Sequence, residues 1–223
     1  LTALAVVGVL LIGALGAGGA YLYQKLYSPT AFVVQYLELL SQGRAAEALA
    51  MPGVTVDAAR LTDLGLPANA SEALLRRAAL APLTRIEPVS EVVRDGVTLV
   101  TVNYLAGSYA GTTTFRVERM GSIGVAPAWE FAQSPLAVIE VAVQGSLQFE
   151  VNGFDLDKRQ VSPDGADADP LEPVSLLAFS PGLYSIAVDT QISKSVGVAV
   201  LSDTPSARVP VSFQTKPTDT LIA

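Results

Sequence analysis

Residues 1–24, LTALAVVGVLLIGALGAGGAYLYQ, carry no charged side chain, and this run constrains the chain before any other feature does. As a helix it would extend about 36 Å, enough to cross a hydrocarbon core of about 30 Å with some tilt. The run predicts a single transmembrane helix over residues 1–27. Tyr21, Tyr23, Lys25 and Tyr27 cluster at its end, as amphipathic rings and a snorkelling ammonium do at a membrane interface, which makes membrane lipid the first expected partner. A cleavable signal peptide is the competing reading, since Gly18 and Ala20 precede Tyr21, but the apolar run exceeds a normal signal core. Gly13, Gly16, Ala17, Gly18 and Ala20 place small residues four apart. That spacing lets another helix approach closely and predicts a protein partner in the membrane or envelope.

Composition narrows the chemistry. The 223 residues include no cysteine and no histidine, which removes disulfides, thiol nucleophiles, imidazole bases and nearly all zinc, copper or haem ligation. A formal charge of -7 with few, scattered basic residues argues against a nucleic-acid partner, because phosphate binding rests on clustered Lys and Arg. Arginine outnumbers lysine 10 to 4 and alanine is abundant, a bias of GC-rich bacterial coding sequence. Missing cysteines, acidic character and strand-rich content predict that the C-terminal part lies outside the cytoplasm, held at the cytoplasmic membrane by one span. Leu1 is not an initiator methionine, and the chain stops at TDTLIA as an apolar run begins, so more protein is expected on both sides.

Residues 28–134 read as an α+β unit. Ser28 is a helix N-cap, Pro29 a first-turn proline and Gly43 a stop, while Phe32, Val33, Tyr36, Leu37 and Leu40 form one apolar stripe. Further helices are expected from Arg44 to Met51 and around Ser71 to Leu80. The period then changes: Val100, Val102, Tyr104, Phe115 and Val117 alternate with Thr101, Asn103, Thr114, Arg116 and Glu118, as half-buried strands do. Asp95-Gly96 signals a type I′ hairpin. Three helices and a four-stranded meander ending at Trp129-Glu130-Phe131 resemble the nuclear-transport-factor-two-like, or cystatin-like, cone.

Residues 135–223 read as an all-β sandwich after the Ser134-Pro135 boundary. Ile139, Val141 and Val143 alternate with polar or small residues, Leu147, Phe149 and Val151 repeat the pattern, and Asn152-Gly153 turns the chain. Six or so short strands suggest two packed sheets with no further helix. FEVNG followed by AFSPGLYSIAV resembles envelope modules of the PEGA type. With the span and the cone, the chain resembles actinobacterial single-pass envelope proteins related to the teicoplanin-resistance-associated membrane protein family. Members of that group often carry a short zinc ribbon before the span and further domain sequence after the sandwich; the 223 residues, without cysteine, contain no such ribbon.

The expected fold class is therefore a single transmembrane helix, an α+β cystatin-like cone and an all-β sandwich. Relatives of the cone that are enzymes need a deep acid or base; without histidine the substitutes are Asp57, Asp63, Tyr104 and Tyr109, which also read as loop acids and a core tyrosine. Asp155, Asp157, Asp164, Asp167 and Asp169 could hold calcium, but Arg159 stands at the fifth position of an EF-hand frame, and a solvated acidic loop accounts for them. Gly107-Ser108 and Gly145-Ser146 lack the G-x-S-x-G elbow, Ser193-Lys194 supplies no S-x-x-K motif, and the sequon Asn69-Ala70-Ser71 reads as an N-cap. No catalytic, cofactor or metal residues are assigned. The expectation is a non-enzymatic binding or scaffold protein of the bacterial envelope, such as an accessory subunit of a respiratory assembly. The alternative is a carrier or sensor of a cell-wall precursor, lipid or glycopeptide in the cone pocket.

Overall fold

The computed structural model of the chain describes residues 27–124, 126–190 and 193–218. Helix α1, Pro29–Ser41, starts where its cap chemistry requires: the Ser28 hydroxyl accepts the Ala31 N–H at 3.0 Å, and proline opens the first turn. Val33, Tyr36, Leu37 and Leu40 bury the apolar stripe. Two short helices follow, α2 (Ala45–Leu49) and α3 (Ala58–Asp63), the latter capped by the Asp57 carboxylate on the Arg60 N–H at 2.7 Å.

Strands β1 (Leu83–Arg94), β2 (Val97–Ala106), β3 (Tyr109–Ile123) and β4 (Ala126–Phe131) form an antiparallel meander in chain order. Asp95 and Gly96 both adopt positive φ, 51° and 82°, as a type I′ turn requires. Along β2, Thr98, Val100, Val102, Tyr104 and Ala106 are buried, so one face of the sheet meets α1 while the other meets solvent.

The remaining strands are β5 (Leu136–Gln144), β6 (Gln148–Val151), β7 (Phe154–Asp157), β8 (Val174–Phe179), β9 (Gly182–Ala187), β10 (Ser193–Lys194), β11 (Val198–Ser202), β12 (Arg208–Gln214) and β13 (Lys216–Pro217). Sheets ordered β12-β5-β8 and β11-β9-β6-β7 pack face to face over Ile139, Val141, Leu176, Phe149, Tyr184 and Ile186, and β10 with β13 forms a small ribbon. Strand β12 runs parallel to β5, a pairing across all the intervening strands.

Several expectations are corrected. Among the described residues no helix is long and apolar enough to cross a membrane; the longest, α1, has 13 residues. Among the described residues strand outweighs helix, 47% against 20%, in three sheets and the ribbon. The described structure corrects the single-transmembrane fold class to a mostly β fold with no spanning helix among the described residues, and it gives the single-pass membrane description and the cytoplasmic-membrane localisation no support. Each described helix is short, and α1 turns its apolar residues onto a sheet rather than presenting them all around; the run of residues 1–26, on which the span was expected, lies outside the described residues. Residues Gly13, Gly16, Ala17, Gly18, Ala20, Tyr21, Tyr23 and Lys25 lie outside the described residues. The expected helix from Ser71 to Leu80 is two 3-10 turns, Glu72–Leu74 and Arg77–Ala79. Ser71 is committed to β8 instead: its N–H donates to Ser175 O and its carbonyl accepts from Leu177 N–H, both at 2.8 Å, which covers that sheet edge. A further departure is α4, Lys158–Val161, a helical turn inside the otherwise all-β part.

The two parts share buried contacts. The Tyr36 hydroxyl, on α1, reaches Pro135 O at 3.4 Å and Ser180 O at 3.3 Å, while Tyr184 donates to Phe179 O at 3.0 Å. The Tyr104 hydroxyl lies 3.0 Å from Thr113 Oγ1, which donates to Asp203 O at 2.6 Å. Burial raises Tyr36 well above the ordinary phenol value, with Tyr184 adding to it, and burial likewise raises Tyr184. Because both folded values lie above the unfolded one, the stability these phenols contribute is complete below about pH 10 and is lost as pH rises through the folded values. An absorbance titration at 295 nm should therefore show a phenolate step that coincides with loss of near-ultraviolet dichroism, and Tyr36→Phe should shrink that step. Ionisation of both rings before any loss of dichroism would contradict the burial argument.

Candidate interaction surface

The space between α1 and the meander is filled by rings. Tyr36 packs edge-on against Phe131 and Phe115 with centroids 5.1 and 6.1 Å apart, and Phe32 lies 4.9 Å from Phe131. Of the expected chemical residues, Asp57 is spent as a helix cap, Asp63 and Tyr109 are exposed and Tyr104 is buried against Thr113. They do not converge. In the acidic stretch Asp157 is paired with Arg159 at 2.5 Å, which holds its carboxyl below the usual range, and Asp169 accepts the Leu171 N–H at 2.8 Å. No group of three or more metal-ligating side chains is found among the described residues. Ser146 closes its own turn, donating to Gln148 O at 2.7 Å.

What the surface does gather is apolar. Val89, Val92 and Val93 on β1, Met120 on β3 and Tyr27 are 57%, 42%, 69%, 54% and 45% exposed. Register places most of them at one end of the meander. Val93 pairs with Thr98, which pairs with Val117, which pairs with Phe131; the next rows outward are Glu118 with Glu130 and then Arg119 with Trp129, and Met120 follows at a bulge. Tyr27 is held at that same end, because the Trp129 indole donates to its carbonyl at 2.8 Å. The opposite end of the sheet, at Gly107, meets Leu183 of β9. The apolar tip therefore points away from the sandwich.

No protein-family model, curated protein or solved structure matches the chain. The resemblances drawn above rest on the residues quoted for them. Of the expected interface residues only Tyr27 is described, and it belongs to this tip. Sequence reasoning placed a hairpin turn at Asp95-Gly96 and did not mark the valines before it as exposed. The available signal was EVVRDG: two adjacent valines beside a tight turn cannot both face the core, since successive strand residues point to opposite faces.

Proposed function

We propose that this chain is a non-enzymatic binding and scaffold protein that docks an apolar surface of a protein partner on the far tip of its meander. The observation that carries the reading is the collection of Val92, Val93, Met120 and Tyr27 at one end of one sheet. Exposed apolar residues gathered at one end of a folded domain mark interaction sites, and burying them on a partner is favourable by about 25 cal/mol per Å² of apolar area. Arg94, Glu118, Arg119 and Glu130 stand beside these apolar residues, a mixture of apolar anchors and polar neighbours that protein interfaces also carry. A role as accessory subunit of a larger assembly fits a chain that presents surfaces rather than a reacting group.

Photo-crosslinking residues placed at Val93 and at Met120 should capture one and the same protein in cells. A crosslinker at Leu171, which is 66% exposed in the acidic loop, should not. Val92→Glu, at the exposed edge, should abolish both tip adducts while leaving the melting temperature within a few degrees. Identical adducts from all three positions, or tip adducts that persist in Val92→Glu, would sink the proposal.

A further inference from the structure

At the end of the sandwich where β9 finishes and β11 begins, the two sheets part into a cleft of about 640 Å³. Its volume falls in the range of small-molecule sites. The lining is largely apolar: Ala187, Val188, Val196, Val198, Phe213 and Pro217. The backbone frame around it is fastened on both sides. Ser195 exchanges hydrogen bonds with Val188, its N–H donating to Val188 O at 2.8 Å and its hydroxyl accepting Val188 N–H at 2.9 Å. Across the cleft, Thr215 N–H and hydroxyl both donate to Gln144 O at 3.1 Å.

The ribbon over this cleft pairs two like charges. Lys194 of β10 stands directly opposite Lys216 of β13, and both line the cleft. These are two of the four lysines in a chain of net charge -7. Directly opposed residues of an antiparallel pair project from the same face with Cβ atoms about 5 Å apart, and like charges there are destabilising. A ribbon of two residue pairs has little pairing energy to set against that repulsion. An anion lying between the two ammoniums reverses the sign of the interaction.

We infer that the cleft binds a free amphiphilic monoanion, with its acidic head between Lys194 and Lys216 and its apolar body on Val188, Val198 and Phe213. Glu150 and Asp189 stand in the same lining, and Asp189 forms a β-bridge with Lys194. They bring the charge of the lining to near zero, which selects a single negative charge over several. Val196 stands fully exposed at the lip of the cleft. This site is separate from the meander tip and does not rest on the proposed docking there.

Calorimetric titration of the full chain tests it with decanoate and decyltrimethylammonium below their micelle concentrations and decanol below its solubility limit. Decanoate should bind, and both the cation and the alcohol should bind at least tenfold more weakly. The double substitution Lys194→Gln, Lys216→Gln should weaken decanoate about tenfold or more, the worth of one charge-assisted hydrogen bond. Val198→Asp, at the exposed floor, should abolish binding with both lysines intact. Equal affinity for the three probes, no decanoate binding, or indifference to the lysine pair would each overturn the inference. So would association with phosphatidylglycerol vesicles by a protein that ignores monomeric decanoate, since the lysines would then read a lipid surface.

Discussion

Gly53→Ala should lower the stability of this protein by about 3 kcal/mol or more, a drop of roughly 10 °C in melting temperature for a chain of this size. Gly53 has φ of 77°, and a Cβ built there would lie 2.3 Å from Phe131 O and 2.7 Å from Phe131 N. The neighbouring Pro52 carbonyl accepts the Phe131 N–H at 3.0 Å, so the loop is seated directly on the backbone of β4. Phe131 cannot retreat. It pairs with Val117 on β3, and its ring is enclosed by Phe32, Tyr36 and Phe115. The substitution therefore combines left-handed backbone strain, about 1 kcal/mol, with overpacking against main-chain atoms that have no alternative position. Gly65→Ala is the control. Its φ is 69° with nothing within 4 Å of the built Cβ, so only the backbone strain applies. Denaturant unfolding of the two variants should differ by at least 2 kcal/mol, the overpacking contribution alone. Equal losses would show that the contact with Phe131 contributes nothing.

Lys158→Ala should cost a similar amount for a different reason. Lys158 is fully buried, and its ammonium donates to three backbone carbonyls, Val143 O and Glu172 O at 3.1 Å and Pro170 O. Three N–H donors meet three acceptors, so the cation is held without a carboxylate in contact. The arrangement ties the acidic loop after α4 to β5. Truncation leaves an apolar void and at least one carbonyl, that of Val143 within the sheet, without its donor, for an expected loss of about 2 to 4 kcal/mol. The missing atoms amount to a propylammonium ion. Added n-propylammonium should restore part of the loss, whereas propyltrimethylammonium, which has the charge but no N–H, should not. Equal rescue by both, or by neither, would mean that the cage is not a set of directed hydrogen bonds.

The same residue leaves a mark in pH dependence. Burial lowers the Lys158 pKa from its ordinary value, with Asp169 opposing the shift. Between the lowered folded value and the unfolded value near 10.4, the unfolded chain binds the extra proton, so this group makes stability rise with pH across that window. Lys158→Met should flatten the rise. The alkaline fall set by Tyr36 and Tyr184 should remain, because those phenols titrate in the opposite sense at higher pH.

Much of the local structure was legible because its causes lie within a few residues. Ser28 and Pro29 start α1, Asp95-Gly96 and Asn152-Gly153 turn hairpins, and the alternation through Val100, Val102 and Tyr104 marks the buried face of β2. The stretch from Ser71 to Leu80 was misread for the converse reason. Its apolar residues suit a helix, but backbone pairing with β8, about a hundred residues away, occupies Ser71 and leaves room only for 3-10 turns. Lys158 was invisible as a buried group because nothing near it in sequence differs from a solvated basic residue; its three carbonyls come from β5 and from the far end of the loop.

The sequence by itself determined the exclusions and the local geometry: no thiol or imidazole chemistry, an acidic chain, short capped helices, and strands of known facing. Those depend on residue identity and on spacing shorter than a turn or a hairpin. Only the tertiary structure decided that β12 lies parallel to β5, that Gly53 must be glycine, that the β1 valines and Met120 gather at one tip, and that Lys194 faces Lys216. Each of these joins residues far apart in the chain. Their meeting is set by which faces bury together and by where backbone groups find partners, and no local pattern encodes that choice.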